Sequence, residues 1–253
     1  MITGKITDTA TGAPVSGATV TLAFEGGRGF ENPSATTGAN GEYRIGPVPV
    51  GRYPKLAVIA AGYDPVTQAV RIQPSGTRRN VALVRDWAAT SGGAAVTDFN
   101  GPDFSPQCGP GGAFDQSLAT GWGSTTGDDA GDPTNHFIPK HVVVKLPKKV
   151  NVSSFGVDPS ATCGDGASAS TAGFRIETSP NGTTWTTAAT GTFTSANDGK
   201  INKVTPTAGA AGVQFVQFTI TSNQTPDFAT NCPGGAFSGC SFTDMTELEV
   251  FGS

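Results

Sequence analysis

The sequence predicts an all-β chain of two sandwich domains, and three observations carry that prediction. Apolar residues recur at every second position over short runs, no run keeps a helical period, and turn formers interrupt the runs about every ten residues. With 35 Gly and 18 Pro in 253 residues, there are enough turn formers to close many short strands. The net charge of −4 comes without a basic cluster to displace phosphate counterions, so no nucleic acid partner is expected. No apolar run approaches the ~20 residues of a membrane span. The loops carry few cations to meet anionic lipid, so no membrane partner is expected either.

Taken in order, the first strand sets Ile2, Gly4 and Ile6 on one face and Thr3, Lys5 and Thr7 on the other. Thr11-Gly12-Ala13-Pro14 turns the chain. Ala18, Val20, Leu22 and Phe24 then face one side, with Thr19, Thr21 and Ala23 opposite. Asn40-Gly41 is a hairpin signal before Tyr43-Arg44-Ile45, because both residues tolerate the positive φ that tight hairpin turns need. Pro49-Val50-Gly51 makes the next turn, and Leu56–Ile59, Ala69–Ile72 and Val81–Val84 complete the first set of strands.

The chain divides near Arg85-Asp86, giving domains 1–85 and 86–253. Cys108, Cys163, Cys232 and Cys240 all follow that point. None lies in a CxxC pair, which argues against zinc, and all sit in Gly/Pro/Ser-rich loops, so two disulfides and a secreted protein are expected. Three pairings are open. Cys108–Cys163 with the local pair Cys232–Cys240 is favoured, and the longer closure contributes about 4 kcal/mol by loop entropy. Since a strand pattern already begins at Ile2, a secreted chain of this kind is expected to be a piece of a larger precursor.

Residues 1–85 resemble the carboxypeptidase regulatory-like domain. The resemblance is carried by Ile2-Thr3-Gly4-Lys5-Ile6-Thr7-Asp8, Thr11 to Val20, Thr37 to Tyr43, Val50-Gly51-Arg52-Tyr53 and Ala61-Gly62-Tyr63. It implies a prealbumin-like, seven-stranded sandwich that is non-catalytic and serves as a spacer or folding aid beside a secreted enzyme. Residues 86–253 resemble the discoidin, or coagulation factor 5/8 type C, family of galactose-binding-like jelly rolls. The carriers are Ala113, Asp115, Thr120 and Trp122, then His141–Leu146, Phe174–Trp185, Val213–Phe218 and Glu247–Gly252. Asn181-Gly182 is a hairpin signal in its own right. Trp122 and Trp185 are expected in the core. The Cys-bearing loops are not general to that family and look like the tail modules of secreted bacterial metallopeptidases.

The second resemblance implies a structural calcium ion between the loop before the tryptophan and the last strand. Asp115 and Glu247 would supply carboxylates, Ser117 and Thr120 hydroxyl or carbonyl oxygens, and Ala113 a carbonyl, a hard-oxygen set suited to calcium. Ser117 stands where relatives often carry an acid or amide, which lowers the charge of the site. The resemblance also places ligand contacts, often to a glycan and sometimes to an extracellular protein, on loops at one end of the sandwich. The aromatic candidates are Phe99, Phe104, Phe114, Phe228 and Phe237, with Asn100, Asp103, Asp227 and Asn231 as polar neighbours.

Catalytic readings find little support. His136 and His141 belong to no HExxH set, and no serine lies in GxSxG. Asp128, Asp129 and Asp132 have no EF-hand spacing and read as a solvated turn. Asp128, Asp129 or Glu177 could be drafted as paired carboxylates, but nothing selects them. Lys5, Asn80 and Glu42 are the residue types of a lysine–asparagine cross-link, without the sequence around them that adhesin cross-links carry. The expected protein is therefore a non-catalytic accessory region of a secreted bacterial enzyme, a peptidase by resemblance, with a calcium-stabilised jelly roll that binds glycan or protein. A purely structural or adhesive cell-surface module is the alternative.

Overall fold

The computed structural model describes residues 1–23, 32–127, 137–225 and 237–253. The chain forms two compact units, Met1–Asp86 and Trp87–Ser253. Among the described residues the regular structure is strands and short 3-10 turns, as the all-β reading expects. No helix among the described residues is long and apolar enough to cross a membrane.

The first unit holds eight strand segments: β1 (Ile2–Asp8), β2 (Thr19–Ala23), β3 (Ser34–Thr36), β4 (Glu42–Ile45), β5 (Gly51–Ala60), β6 (Tyr63–Ile72), β7 (Thr77–Arg78) and β8 (Val81–Leu83). One sheet runs β3-β2-β5-β6, and the other sets β4 on one side of β1. Both β7 and β8 pair in parallel with β1, at Ile2–Thr3 and at Ile6–Asp8, so they form one interrupted strand and the sandwich counts seven. At the interruption the Lys5 amide donates to the side-chain Oδ1 of Asn80 at 3.0 Å, replacing the missing ladder bond. This is a backbone-to-side-chain bond, so the cross-link residue types have an ordinary structural use here.

Alternation accounts for the core of this unit. Ile2 and Ile6 of β1, Leu22 of β2, Leu56 of β5, Ile72 of β6 and Leu83 of β8 point inward and are fully buried. Their neighbours in sequence point out, as period-2 geometry requires. The two strand prolines sit where a missing N–H is tolerated. Pro54 falls at the register shift between Tyr53 and Leu56, and Pro65 lies on β6, a sheet edge.

The second unit continues with β9 (Ala95–Phe99), β10 (Trp122–Thr125), β11 (Lys140–Val150), β12 (Val152–Asp158), β13 (Gly173–Ser179), β14 (Thr186–Thr192), β15 (Asn202–Val204), β16 (Val213–Ile220), β17 (Phe242–Met245) and β18 (Glu247–Gly252). A five-stranded sheet, β14-β13-β16-β11-β9, faces a three-stranded sheet, β15-β12-β18, and β10 pairs with β17. Trp122, Phe114, Phe155, Phe218, Leu146 and Ile176 fill the space between them. Trp122 is fully buried, but Trp185 is only half-buried and lies outside this core. It sits in the loop between β13 and β14, which is longer than a two-residue hairpin. There the Thr183 and Thr184 amides donate to Asn181 Oδ1, and Gly182 takes φ 79°.

Two features of this unit position the candidate sites. The pairing of β10 with β17 sets Gly123 opposite Asp244. The Cys108–Cys163 disulfide fastens the loop before β10 to the loop after β12. Cys240 is also disulfide-bonded, while Cys232 lies outside the described residues. Asp128, Asp129, Asp132 and His136 lie outside them too.

Candidate functional site

The loop from Asp115 to Thr120 closes on the start of β18. Asp115 Oδ1 accepts the Ser117 amide at 3.0 Å, and the same amide donates to Glu247 Oε2 at 3.3 Å. Two carboxylates from opposite ends of the unit thus converge on one N–H. Thr120 Oγ1 donates to Asp115 Oδ2 at 2.7 Å, and Ser117 Oγ accepts the Ala119 amide at 3.2 Å. Ala113 is buried in the turn Pro110–Phe114, just before the loop. Glu247 is fully buried, whereas Asp115 is exposed. Between Asp115 and Ser117, Gln116 takes φ 65°, a left-handed conformation costly for a side chain of that size. A buried carboxylate, an exposed one, and nearby hydroxyl and carbonyl oxygens make a donor set that fits a hard divalent cation such as calcium. No group of three or more His, Cys, Asp or Glu side chains converges among the described residues, so any such ion draws on hydroxyl and carbonyl oxygens as well.

A second site lies around the disulfide. An apolar pocket of about 270 Å³ is lined by Phe104, Phe237, Phe242, Gly123 and Asp165 beside Cys108 and Cys163. Phe237 and Phe242 stack at 6.1 Å with planes 7° apart, and Phe104 meets Phe242 edge-on at 6.2 Å. Phe104 is 38% and Phe237 67% exposed, so these rings are held at the surface. Cys163 and Asp165 also line an adjoining polar pocket of about 460 Å³, with Asp158, Ser160, Thr162 and Thr246 among its walls. The two pockets are therefore lobes of one groove. Cys163, at their junction, is the other non-glycine residue with positive φ among the described residues, at 62°.

Beneath the groove, Asp244 is fully buried. Its Oδ2 accepts the Thr162 amide at 3.0 Å, while Oδ1 meets no protein donor among the described residues. A Cβ placed on Gly123 would stand 3.0 Å from that Oδ1 and 3.4 Å from Cys163 Sγ, so the glycine leaves the carboxyl close under the pocket floor. Burial, and then the neighbouring Asp165 charge, push Asp244 well above the usual carboxylate range. Burial raises Asp165 as well, partly offset by its hydrogen bond with Asp244.

The candidate ligand residues of the sequence reading therefore separate. Phe104 and Phe237 line the groove. Phe114 is fully buried in the core, carried there by the turn Pro110–Phe114, and Phe99, at the end of β9, packs half-buried against that core. Asn100 has its amide engaged by backbone, accepting from His141 N at 2.6 Å and donating to Pro139 O at 3.0 Å. Asp103 is exposed and bonded to Ser105, whose hydroxyl and amide hold its carboxyl below the usual range. Asp227, Phe228 and Asn231 lie outside the described residues. His141 Nε2 sits 3.3 Å from Asp98 Oδ2, a surface pair that belongs to no group of three or more metal-ligating side chains among the described residues.

Sequence reasoning missed Phe242, Asp165 and Asp244. Signals were available for the two acids. Asp165 is a lone acid between glycines next to a bridged cysteine, and Asp244 is a lone acid within a short strand leading to the buried Glu247.

Comparison with known proteins agrees with this architecture. Residues 95–232 match the F5/8 type C domain and residues 1–84 the Carboxypeptidase regulatory-like domain, in the order the motifs indicated. The chain belongs to the F5/8 type C domain family, with a carboxypeptidase regulatory-like domain preceding that region. Among solved structures it is similar to a putative chitobiase fragment from Bacteroides thetaiotaomicron, at 15% identity over 63% of this chain and 89% of that one, with TM-score 0.48. It is also similar to the family 32 carbohydrate-binding module of Streptococcus pneumoniae EndoD, at 13% identity over 66% and 99%, with TM-score 0.46. A third is the family 32 module of Clostridium perfringens NanJ in complex with galactose, at 20% identity over 62% and 91%, with TM-score 0.39. No curated protein sequence matches the chain.

Proposed function

We propose that this chain is a non-catalytic, carbohydrate-binding accessory region of a secreted enzyme, and that Trp87–Ser253 binds glycan in the groove beside the Cys108–Cys163 bridge. The observation that carries the reading is the trio of the exposed Phe104 and Phe237 with the half-buried Phe242, lining a preformed pocket. Flat aromatic faces suit the C–H face of a pyranose, while the few polar groups at the rim fix its orientation. Membership of the F5/8 type C family supports the same reading. On the sequence resemblance, the parent enzyme is a peptidase, and the chain works outside the cell, on glycan or on extracellular protein. The Asp115–Glu247 loop holds a structural calcium ion that ties the two ends of the unit together and stabilises the folded state by binding it selectively.

A glycan array followed by titration calorimetry on the full chain tests the main claim. Binding should be found, and should fall by about a hundredfold or more when Phe104→Ala and Phe237→Ala are combined, since each stacked ring is worth roughly 1–2 kcal/mol. Binding that survives the double substitution would move the site away from this groove, and no binding to any glycan would leave the structural or adhesive alternative in its place.

A further inference from the structure

One end of the first unit gathers arginines that lie far apart in sequence. Ile2 pairs with Ile45 and with Thr77, so Thr3 stands between Arg44 and Arg78. In the other sheet Gly51 pairs with Ile72, which sets Arg52 directly opposite Arg71. All four arginines therefore sit one position in from the same end of the sandwich. Ile45, Tyr53 and Ile72 beside them are buried, and alternation turns the four exposed side chains outward, two on each face. Between the faces runs the 46–50 connection. It carries no charge, and Pro47, Pro49 and Val50 are exposed, Val50 by 60%. Arg52 and Arg71 are like charges directly across a ladder, which costs stability in isolation. None of the four arginines forms an ion pair among the described residues. Arg44 and Arg78 both line a hollow of about 380 Å³ over Thr3. Glu42 lines it too, but is paired in register with Lys5.

We propose that this end of the first unit docks on an anionic phospholipid surface, with the 46–50 connection entering the headgroup layer and the four guanidiniums meeting phosphates around it. The geometry selects a surface. Arginines on both faces of a sandwich cannot all lie along one linear polyanion, whereas a plane that meets the end of the sandwich reaches all four. The chemistry selects phosphate-bearing lipid. A guanidinium fork matches phosphate oxygens bidentately, and each cation near an anionic leaflet adds attraction. The tip of the connection lies two to three residues beyond the arginine level, roughly 7–10 Å at about 3.3 Å per residue, which is the depth of the headgroup boundary. With no aromatic ring in the connection, the attraction is chiefly electrostatic and reversible. The connection itself carries no cation, so counting cations loop by loop misses this end; the register of the flanking strands supplies them. The site belongs to the first unit alone and does not depend on glycan binding by the second.

Co-sedimentation of the full chain with vesicles tests the proposal, one set of phosphatidylcholine alone and one with phosphatidylglycerol mixed in. The anionic vesicles should bind the chain, the neutral ones should not, and added salt should weaken the binding. Arg44→Gln with Arg78→Gln, and separately Arg52→Gln with Arg71→Gln, should each weaken it by about tenfold or more, since each cation near the leaflet contributes about a fivefold factor. Val50→Asp should weaken it as well. The melting midpoint of the first unit should hold or rise in the Arg52/Arg71 variant, because the like-charge opposition is relieved. That control separates lost docking from lost folding. Equal binding to both vesicle types, binding to neither, or loss confined to one pair of arginines would overturn the proposal. Binding of soluble heparin as tight as that of the anionic vesicles, through the same arginines, would assign this end to a soluble polyanion and overturn it too. Competition by inorganic phosphate at low concentration would assign it to the free ion, with the same consequence.

Discussion

At Asp244 the chain keeps an ionisable group where an apolar one would cost less. Its stability consequence has a definite sign. An acid whose carboxyl is raised on folding supports the native state fully below its unfolded value, 3.8 here, and loses that contribution as pH climbs through its folded value. Asp244→Asn removes the titration. It keeps an acceptor for the Thr162 amide and gives Asp165 a donor. The melting temperatures of the wild type and this variant should be similar near pH 4, and the variant should gain as pH rises toward 8. Each pKa unit of the raised group is worth about 1.4 kcal/mol, and about 2–4 °C accompanies each kcal/mol in a domain of this size. Thermal melts across that pH range check it, and a gap that narrows with rising pH would contradict it. Gly4 shows the opposite economy, a residue needed for having no side chain. A Cβ there would collide with the Arg79 carbonyl, to which the Tyr43 hydroxyl already donates at 2.8 Å. Gly4→Ala should cost the first unit about 1–3 kcal/mol through overpacking, read as a lowered denaturant midpoint.

At the scale of elements, the pairing of β10 with β17 and the Cys108–Cys163 bridge make one rigid frame for the groove. The Gly123 amide donates to the Cys108 carbonyl at 3.1 Å, so the bridged loop is also sewn to the strand. The bridge closes 55 residues, and removing such a closure costs about 4 kcal/mol by loop entropy. Replacing Cys108 and Cys163 together by serine should lower the melting temperature of the second unit and weaken glycan binding with it, since both sulfurs line the pocket. Retained affinity in the folded variant would show that the bridge only stabilises. This arrangement was partly legible in sequence. Alternation reveals a strand because each inward position must be apolar, which is why Ile2, Ile6, Val20 and Leu22 could be placed inside. A loop phenylalanine carries no such signal. Phe104 and Phe114 stand ten positions apart in the same Gly-rich segment, and only the short turn Pro110–Phe114 carries the second into the core. Trp185 misled for a related reason: the Asn181 side chain spends itself on two amides and opens the hairpin into a longer loop that holds the ring half out. The groove itself was hidden because Asp165 and Asp244, far apart in sequence, meet only through β10, β17 and the bridge.

At the scale of the whole molecule, the two units have separate cores, with no residue in common. Both carboxylates of the proposed calcium loop, Asp115 and Glu247, belong to the second unit, one before its first buried tryptophan strand and the other opening its last strand. An ion there links segments 130 residues apart, a closure that exists only in the folded state. Calcium should therefore act on one unfolding event and not on the other. In scanning calorimetry the chain should show two transitions. A chelator should lower one of them while the other stays in place, and calcium in hundredfold excess over its dissociation constant should raise it by the equivalent of about 2.7 kcal/mol. Glu247→Gln, which removes the buried charge at nearly constant volume, should abolish the calcium response in that transition alone. A chelator that moves both transitions, or neither, would contradict the placement of the ion. A normal response in the Glu247→Gln variant would move the site away from this loop.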